Sequence, residues 1–253
     1  MILAIDIGNT TVSLAICQKQ RAVETASICA RSSDMQLLNK FRFLLSHFLR
    51  TYGGCEAVVI CSVVPSLTKK LEAVIKKEWA MSALIIGRDV KVPLKSRYNP
   101  KQIGQDRLVC AYAAKMLYGQ PVIVIDFGTA TTFDVVNHRG EYAGGVIVPG
   151  LRLSTETLFH KTALLPKIEN IKPPKHLIGR NTQDSILSGL LYGYGTMSAG
   201  LIDLIKKRIK GKPTVIITGG YTKLMKKYIH DHINIIDDHL VFKGNAMIRC
   251  LSR

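Results

Sequence analysis

The sequence predicts an α/β protein made of two copies of one domain with a cleft between them. Two repeats and a periodicity predict it. "ILAIDIGNTTV" (residues 2–12) and "VIVIDFGTATT" (122–132) both run from apolar residues to Asp, an apolar residue, Gly and then polar and hydroxyl residues. "AVVICSVVPSLTKKL" (57–71) and "TVIITGGYTKLMKKY" (214–228) both place an apolar strand before a turn and a Leu/Lys helix. Between these motifs, strand-like and helix-like periods alternate. The boundary is expected near 115–120, dividing the chain into 1–117 and 118–253. No low-complexity linker joins the halves, so they are expected to pack closely.

Residues 2–7 and 11–17 read as strands joined by Gly8-Asn9-Thr10, with a further strand at 21–29. Leu37, Leu38, Phe41, Leu44, Leu45, Phe48 and Leu49 recur at helical spacing, so 34–51 is a helix with Ser33 as its cap and Gly53 after its end. A buried strand at 57–64 leads into a helix at 65–79 that opens on Pro65. A strand at 83–87, an irregular segment at 88–104 and a helix at 106–119 close the first half. The pattern restarts at 121 with strand, Asp126-Phe127-Gly128-Thr129 turn, strand (131–136), turn at Arg139-Gly140, and strand. Helices follow at 151–160 and 182–209, the second broken near Gly193-Gly195, with Pro166, Pro173 and Pro174 flanking the segment between them.

With 253 residues, 47% of them apolar, the chain can bury sizeable cores. No apolar run reaches the ~18–20 residues needed to cross a bilayer. Asp6 interrupts the first apolar run and no basic stretch precedes it, which argues against a signal peptide. A cytoplasmic location, with no membrane partner, is therefore expected. The six cysteines form no Cys-x-x-Cys pair, and several lie in apolar runs, as buried free thiols do. His230-Asp231-His232 reads as a solvated edge, because two histidines without a further placed ligand are a weak metal signal.

The net charge of +17 admits an anionic ligand, a nucleic acid or a generally basic proteome. Its lysines are spread over polar helix faces (Lys69-Lys70, Lys76-Lys77, Lys206-Lys207, Lys226-Lys227) without interleaved aromatics. A solvated surface, with no specific nucleic-acid site, is the expectation.

A strand that ends in Asp-x-Gly presents a carboxylate beside a residue with no side chain in a ligand's way. Asn9, Thr10 and Thr11, or Thr129, Thr131 and Thr132, then offer N–H and hydroxyl donors. Donors beside a carboxylate suit a metal-bound polyphosphate, with N–H groups on phosphate oxygens and the carboxylate toward the cation. One such turn is most often structural, whereas two related by duplication point to a ligand. There is no P-loop and no Gly-x-Gly-x-x-Gly after a strand. Asp126-Phe127-Gly128 spells a protein-kinase motif, but no His-Arg-Asp loop precedes it. Thr218-Gly219-Gly220 either admits an adenosine or simply ends its strand.

The two Asp-x-Gly turns with Thr218-Gly219-Gly220 resemble the acetate and sugar kinase/Hsp70/actin superfamily. Within it, "DIGNT", "YNPKQIGQDR", "DFGTATT", "GGVIVPG", "TALLP" and "TGG", in this order, resemble the type III pantothenate kinase family over essentially the whole chain. Gly104-Gln105-Asp106-Arg107 is the most discriminating element. The resemblance implies duplicated ribonuclease-H-like (actin-like ATPase) domains. It implies ATP-dependent phosphorylation of pantothenate, the first step towards coenzyme A, with magnesium–ATP, a monovalent cation (potassium or ammonium) and a homodimer. It assigns Asp6, Ile7, Gly8, Asn9, Thr10, Thr11, Val12 and Ser13 to the ATP phosphate loop, with Asp6 toward magnesium. Thr129, Gly219 and Gly220 fall to ATP as well. Tyr98, Gly104, Gln105, Asp106, Arg107 and Thr182 fall to pantothenate, with Asp106 as proton acceptor, and Asp126 to the monovalent cation.

Read locally, Asp106 and Arg107 open a helix, where a carboxylate is favoured by the dipole and kept ionised. Its low basicity suits phosphoryl transfer, whose loose transition state needs a positioned acceptor more than a strong base. Arg107 can fork onto a carboxylate or a phosphate. Tyr98 is either a substrate contact or an ordinary half-buried aromatic, and Thr182 either a substrate contact or a helix N-cap. Two other readings stand beside the kinase. One is a regulatory protein, because the family also resembles a transcriptional accessory factor. The other is a kinase for another small alcohol. Intact Asp6, Asp106 and Asp126 favour an enzyme.

Overall fold

A computed structural model describes residues 1–96, 98–99 and 102–251. Pro100 and Lys101, within the Tyr98–Arg107 motif, lie outside the described residues. The chain forms two compact units.

In the first unit, β1 (Ile2–Ile7), β2 (Thr11–Gln18) and β3 (Arg21–Cys29) form an antiparallel meander. β4 (Ala57–Ser62) and β5 (Ala83–Ile85) add in parallel on the other side of β1, giving the order β3-β2-β1-β4-β5. The pleat sends Leu3, Ile5 and Ile7 to one face. There they pack with Leu37, Phe41, Leu45 and Phe48 of α1 (Asp34–Thr51) and Leu67, Leu71 and Ile75 of α2 (Pro65–Trp79). Ser33 caps α1, accepting from the Gln36 N–H at 3.5 Å, and Gly53 follows with a φ of +67°.

The second unit repeats this plan. β6 (Val122–Phe127), β7 (Ala130–Val136) and β8 (Tyr142–Pro149) form the meander, and β9 (Thr214–Thr218) and β10 (Ile235–Ile236) add in parallel beside β6. The order β10-β9-β6-β7-β8 matches the first sheet strand for strand. Ile123, Ile125 and Phe127 pack with side chains of α4 (Leu151–Lys161), α5 (Thr182–Lys206) and α6 (Thr222–Ile229).

The expected division at 117/118 is corrected at two places. The chain leaves the first unit inside α3 (Gln105–Tyr118), between Ala113 and Ala114, and returns to it from His239 onward. The cause is α7 (Leu240–Cys250), absent from the sequence reading, which buries Leu240, Phe242, Ala246 and Ile248 and packs on β1, β2 and β4. Residues Lys95 and Ser96 group with the second unit, where the Tyr142 N–H donates to Lys95 O at 2.7 Å.

The expected break near Gly193-Gly195 is also corrected, since α5 is continuous through both glycines. Gly195 lies against α6, where an added Cβ would come within 2.6 Å of Tyr228 Cβ. It serves close helix packing rather than a bend. The six cysteines are free thiols; Cys17, Cys61 and Cys110 are buried, but Cys29 and Cys250 are exposed at the ends of β3 and α7. His230-Asp231-His232 forms an exposed 3-10 turn in which His230 pairs with Asp231 at 3.0 Å and His232 with Asp203 at 3.4 Å.

Candidate active site

The two Asp-x-Gly turns occupy equivalent places, at the carboxyl end of the central strand of each sheet. Asp6 pairs across the ladders with Ser13 of β2 and Cys61 of β4, and Asp126 with Thr132 of β7 and Thr218 of β9. The hairpins differ by one residue. The first closes from Gly8 N–H to Thr11 O at 2.9 Å, the second from Gly128 N–H to Ala130 O at 3.1 Å. Neither glycine has a positive φ. Neither turn therefore needs glycine for a left-handed backbone. At Gly128 a side chain would crowd Asp126 Oδ1 at 3.2 Å.

In the first loop, Asn9 is exposed and Gly8, Thr10 and Thr11 are partly exposed. Ile7 and Val12 are fully buried in the core beneath α1 and α2, which leaves only their backbone groups for a ligand. The Ser13 hydroxyl is shared with Ser27 Oγ at 3.0 Å.

The Gly104–Arg107 segment belongs to the same unit. Gly104 precedes α3, and the Asp106 carboxylate folds back into the space its missing side chain leaves, accepting from the Arg107 N–H at 2.8 Å. A Cβ at Gly104 would also reach Val63 Cγ1 at 3.5 Å, so the start of α3 lies against the turn after β4. Gln105 packs on Gly87, whose φ is +90° and whose added Cβ would meet Gln105 Cδ at 2.8 Å. Tyr98 is 47% exposed, as a half-buried aromatic would be.

Cys61, the buried ladder partner of Asp6, lies on the strand whose following turn meets the start of α3. Cys61 is held well above the ordinary thiol range, first by burial and then by the charges of Asp6 and Asp106.

In the second unit, Gly219 has a φ of +99°, and a Cβ there would run into the Asp126 carboxylate and lie 2.8 Å from the Phe127 backbone nitrogen. The Tyr221 N–H donates to Phe127 O at 3.1 Å. These contacts hold the β9–α6 turn on the end of β6. Gly219 is thus spent on Asp126, while Gly220 is exposed with open space around it. Thr129 is supported by Gly150, which donates its N–H to Thr129 O at 3.0 Å and lies too close to Gly128 and Thr129 to carry a side chain. Gly150 ends the "GGVIVPG" motif, and its part here is to pack against the turn that follows Asp126. Thr182 is the exposed first residue of α5 and does not cap it; Asn181 does, accepting from the Asp184 N–H at 2.8 Å.

The type III pantothenate kinase profile matches residues 2–204. Type III pantothenate kinases are similar over nearly full length: 40% identity to that of Halalkalibacterium halodurans, covering 98% of each chain, and 39% to that of Moorella thermoacetica, again 98% of each. The chain belongs to the type III pantothenate kinase family.

Among solved structures, a Campylobacter jejuni protein assigned to a Baf family of transcriptional activators matches with a TM-score of 0.60 at 19% identity, covering 99% of this chain and 98% of that one. A ROK family glucokinase from Streptomyces griseus matches with a TM-score of 0.56 at 12% identity, covering 98% and 99%. These likenesses bear on fold alone, and they agree with duplicated ribonuclease-H-like units. The transcriptional reading gains nothing from them.

Proposed function

We propose that the protein phosphorylates pantothenate with ATP, giving 4′-phosphopantothenate for coenzyme A synthesis. The observation that carries this reading is the match to the type III pantothenate kinase family over residues 2–204, and the start of α3, with Asp106, lies against the turn after the strand that pairs with Asp6. Asp106 accepts the proton of the pantothenate hydroxyl as its oxygen bonds to the γ-phosphorus and the bond to ADP breaks. Arg107 forks onto the pantothenate carboxylate, and Tyr98, Gly104, Gln105 and Thr182 complete that subsite. The Asp6–Ser13 loop holds the triphosphate through backbone N–H groups and the hydroxyls of Thr10 and Thr11, with Thr129 and Gly220 as further ATP contacts.

Two cations belong to this reading. Asp6 offers hard oxygen donors of the kind magnesium takes along with substrate phosphates and water. Bound there, magnesium neutralises charge on the triphosphate. Asp126, cradled by Gly219 and Gly128, is the ligand for potassium or ammonium. The protein acts in the cytoplasm as a homodimer. Exposed Ile147, Leu153, Leu158 and Phe159 on β8 and α4 support a self-association surface. Among the described residues, no helix is long and apolar enough to cross a membrane.

The test is one assay. Purified protein with magnesium–ATP and pantothenate, in potassium or in sodium, is monitored for 4′-phosphopantothenate. Product in potassium is the expected result. No product would defeat the kinase reading, and phosphorylation of a different small alcohol in its place would redirect it.

A further inference from the structure

We infer that Gly244, on the C-terminal helix α7, is a positioning residue for Asp106. The inference rests on the proposed role of Asp106 as proton acceptor. α7 lies beyond the residues 2–204 that the family profile matches, yet it packs within the first unit.

Asp106, Val109 and Ala113 recur at i, i+3 and i+7, one stripe of α3. Gly244 meets that stripe. An added Cβ would lie 2.5 Å from Val109 Cγ1, 2.8 Å from Val109 O and 3.2 Å from Ala113 Cβ. Real Cβ atoms do not approach this closely, and a helical carbonyl cannot turn aside as a side chain can. A glycine inside a helix costs about 0.5–1 kcal/mol relative to alanine. Its place here, flanked by buried residues on α7, goes with this close approach of the two helices.

The next residue ties α7 to the other carboxylate's strand. Asn245 is fully buried, and its amide nitrogen is 3.4 Å from Ile5 O, the residue before Asp6. Its Oδ1 has no hydrogen-bond partner among the described residues. The pleat places Ile2, Ala4 and Asp6 on the face opposite the α1/α2 core. α7 packs on β1, β2 and β4 and contributes nothing to that core, so it covers the Asp6 face. Adjacent residues of α7 therefore touch the strand that carries Asp6 and the helix whose first turn carries Asp106. α7 sets the spacing between them.

The experiment compares full-length wild type, Gly244→Ala, Gly244→Ala/Val109→Ala and Asp106→Asn. It reads kcat, the KM for pantothenate, magnesium–ATP affinity by calorimetry, and the melting temperature. A misplaced catalytic group costs on the order of 10²-fold per ångström, so Gly244→Ala is expected to lower kcat about 10- to 100-fold. Magnesium–ATP affinity is expected to fall by less than kcat, because the atoms that an added Cβ would crowd belong to α3 and none of them to β1. Removing Val109 Cγ1 in the double variant should recover part of the lost kcat. A folded Gly244→Ala with wild-type kcat, alongside an inactive Asp106→Asn, overturns the positioning role alone. Wild-type turnover by Asp106→Asn overturns both this inference and the role of Asp106. Should Gly244→Ala not fold, the double variant is compared with Val109→Ala, and equal kcat in the two overturns the inference.

Discussion

Asp6 and Cys61 are direct neighbours in the parallel pair of β1 and β4, and the Cys61 side chain is wholly buried. Its equivalent in the second unit, beside Asp126, is Thr218. A thiol there is kept neutral by burial and by the two carboxylates. Since the thiolate is the reactive form, Cys61 is chemically silent despite its place beside the phosphate loop. Alkylation of the native protein near pH 8, mapped by mass spectrometry, should label the exposed Cys29 and Cys250 and spare Cys61 and Cys17 until the protein unfolds. Rapid native labelling of Cys61 would show that it is neither buried nor neutral.

Asp106→Asn should remove most turnover and leave magnesium–ATP binding nearly intact. General-base assistance is typically worth ~10²–10⁴-fold. The amide retains an oxygen to accept from the Arg107 N–H, so the start of α3 keeps its geometry. Single-turnover kinetics with calorimetric ATP affinity separate the two effects. An unchanged chemical step would remove Asp106 as the proton acceptor.

The two Asp-x-Gly turns should differ in function as they differ in length. Asp6→Asn is expected to weaken use of magnesium–ATP at every potassium concentration. Asp126→Asn is expected chiefly to abolish activation by potassium. A potassium titration of both variants at saturating magnesium decides this. Equal loss of the potassium response in both, or a wild-type response in Asp126→Asn, contradicts the division.

Alkaline stability should reflect the buried thiols. Burial pushes Cys17 from its ordinary 9.0 up to about 12, and Cys61 is raised in the same direction. In the unfolded chain both ionise near 9, so above that pH the unfolded state binds fewer protons than the folded state. Stability is thus full below pH 9 and falls toward pH 12, by up to ~1.4 kcal/mol per pH unit for each thiol. Urea midpoints across this window should fall less steeply for Cys17→Ala than for wild type. Identical slopes would mean that the Cys17 thiol titrates freely when folded.

The +17 charge should give only weak, sequence-independent DNA binding that fades as salt rises. Its lysines sit on the polar faces of several helices, among them α2 and α6. Fluorescence anisotropy with unrelated duplexes at low and physiological salt measures this. Tight binding to one duplex at physiological salt would revive the regulatory reading.

The duplication was legible because each half repeats the same apolar run, carboxylate and turn, and burial on both faces of a central strand demands such runs. Helix α1 was legible from its amphipathic spacing and its cap. β10 was not, because two residues carry no period. α7 was not, because "LVFKGNAMIRC" places a glycine and an asparagine where local propensity favours a turn. Likewise Gly193 and Gly195 suggested a break that packing against α6 overrides.

By itself the sequence determined the two repeated units, the family, and the residues that carry its motifs, because these are written in local pattern. Only the tertiary structure decided that the last helix returns to the first unit, and that the start of α3, with Asp106, lies against the turn after β4, the strand beside Asp6. It also decided that Gly219 and Gly244 are needed against Asp126 and α3. The physical reason is that such relations depend on how closely backbones distant in sequence approach, and a glycine's neighbours in space are not among its neighbours in the chain.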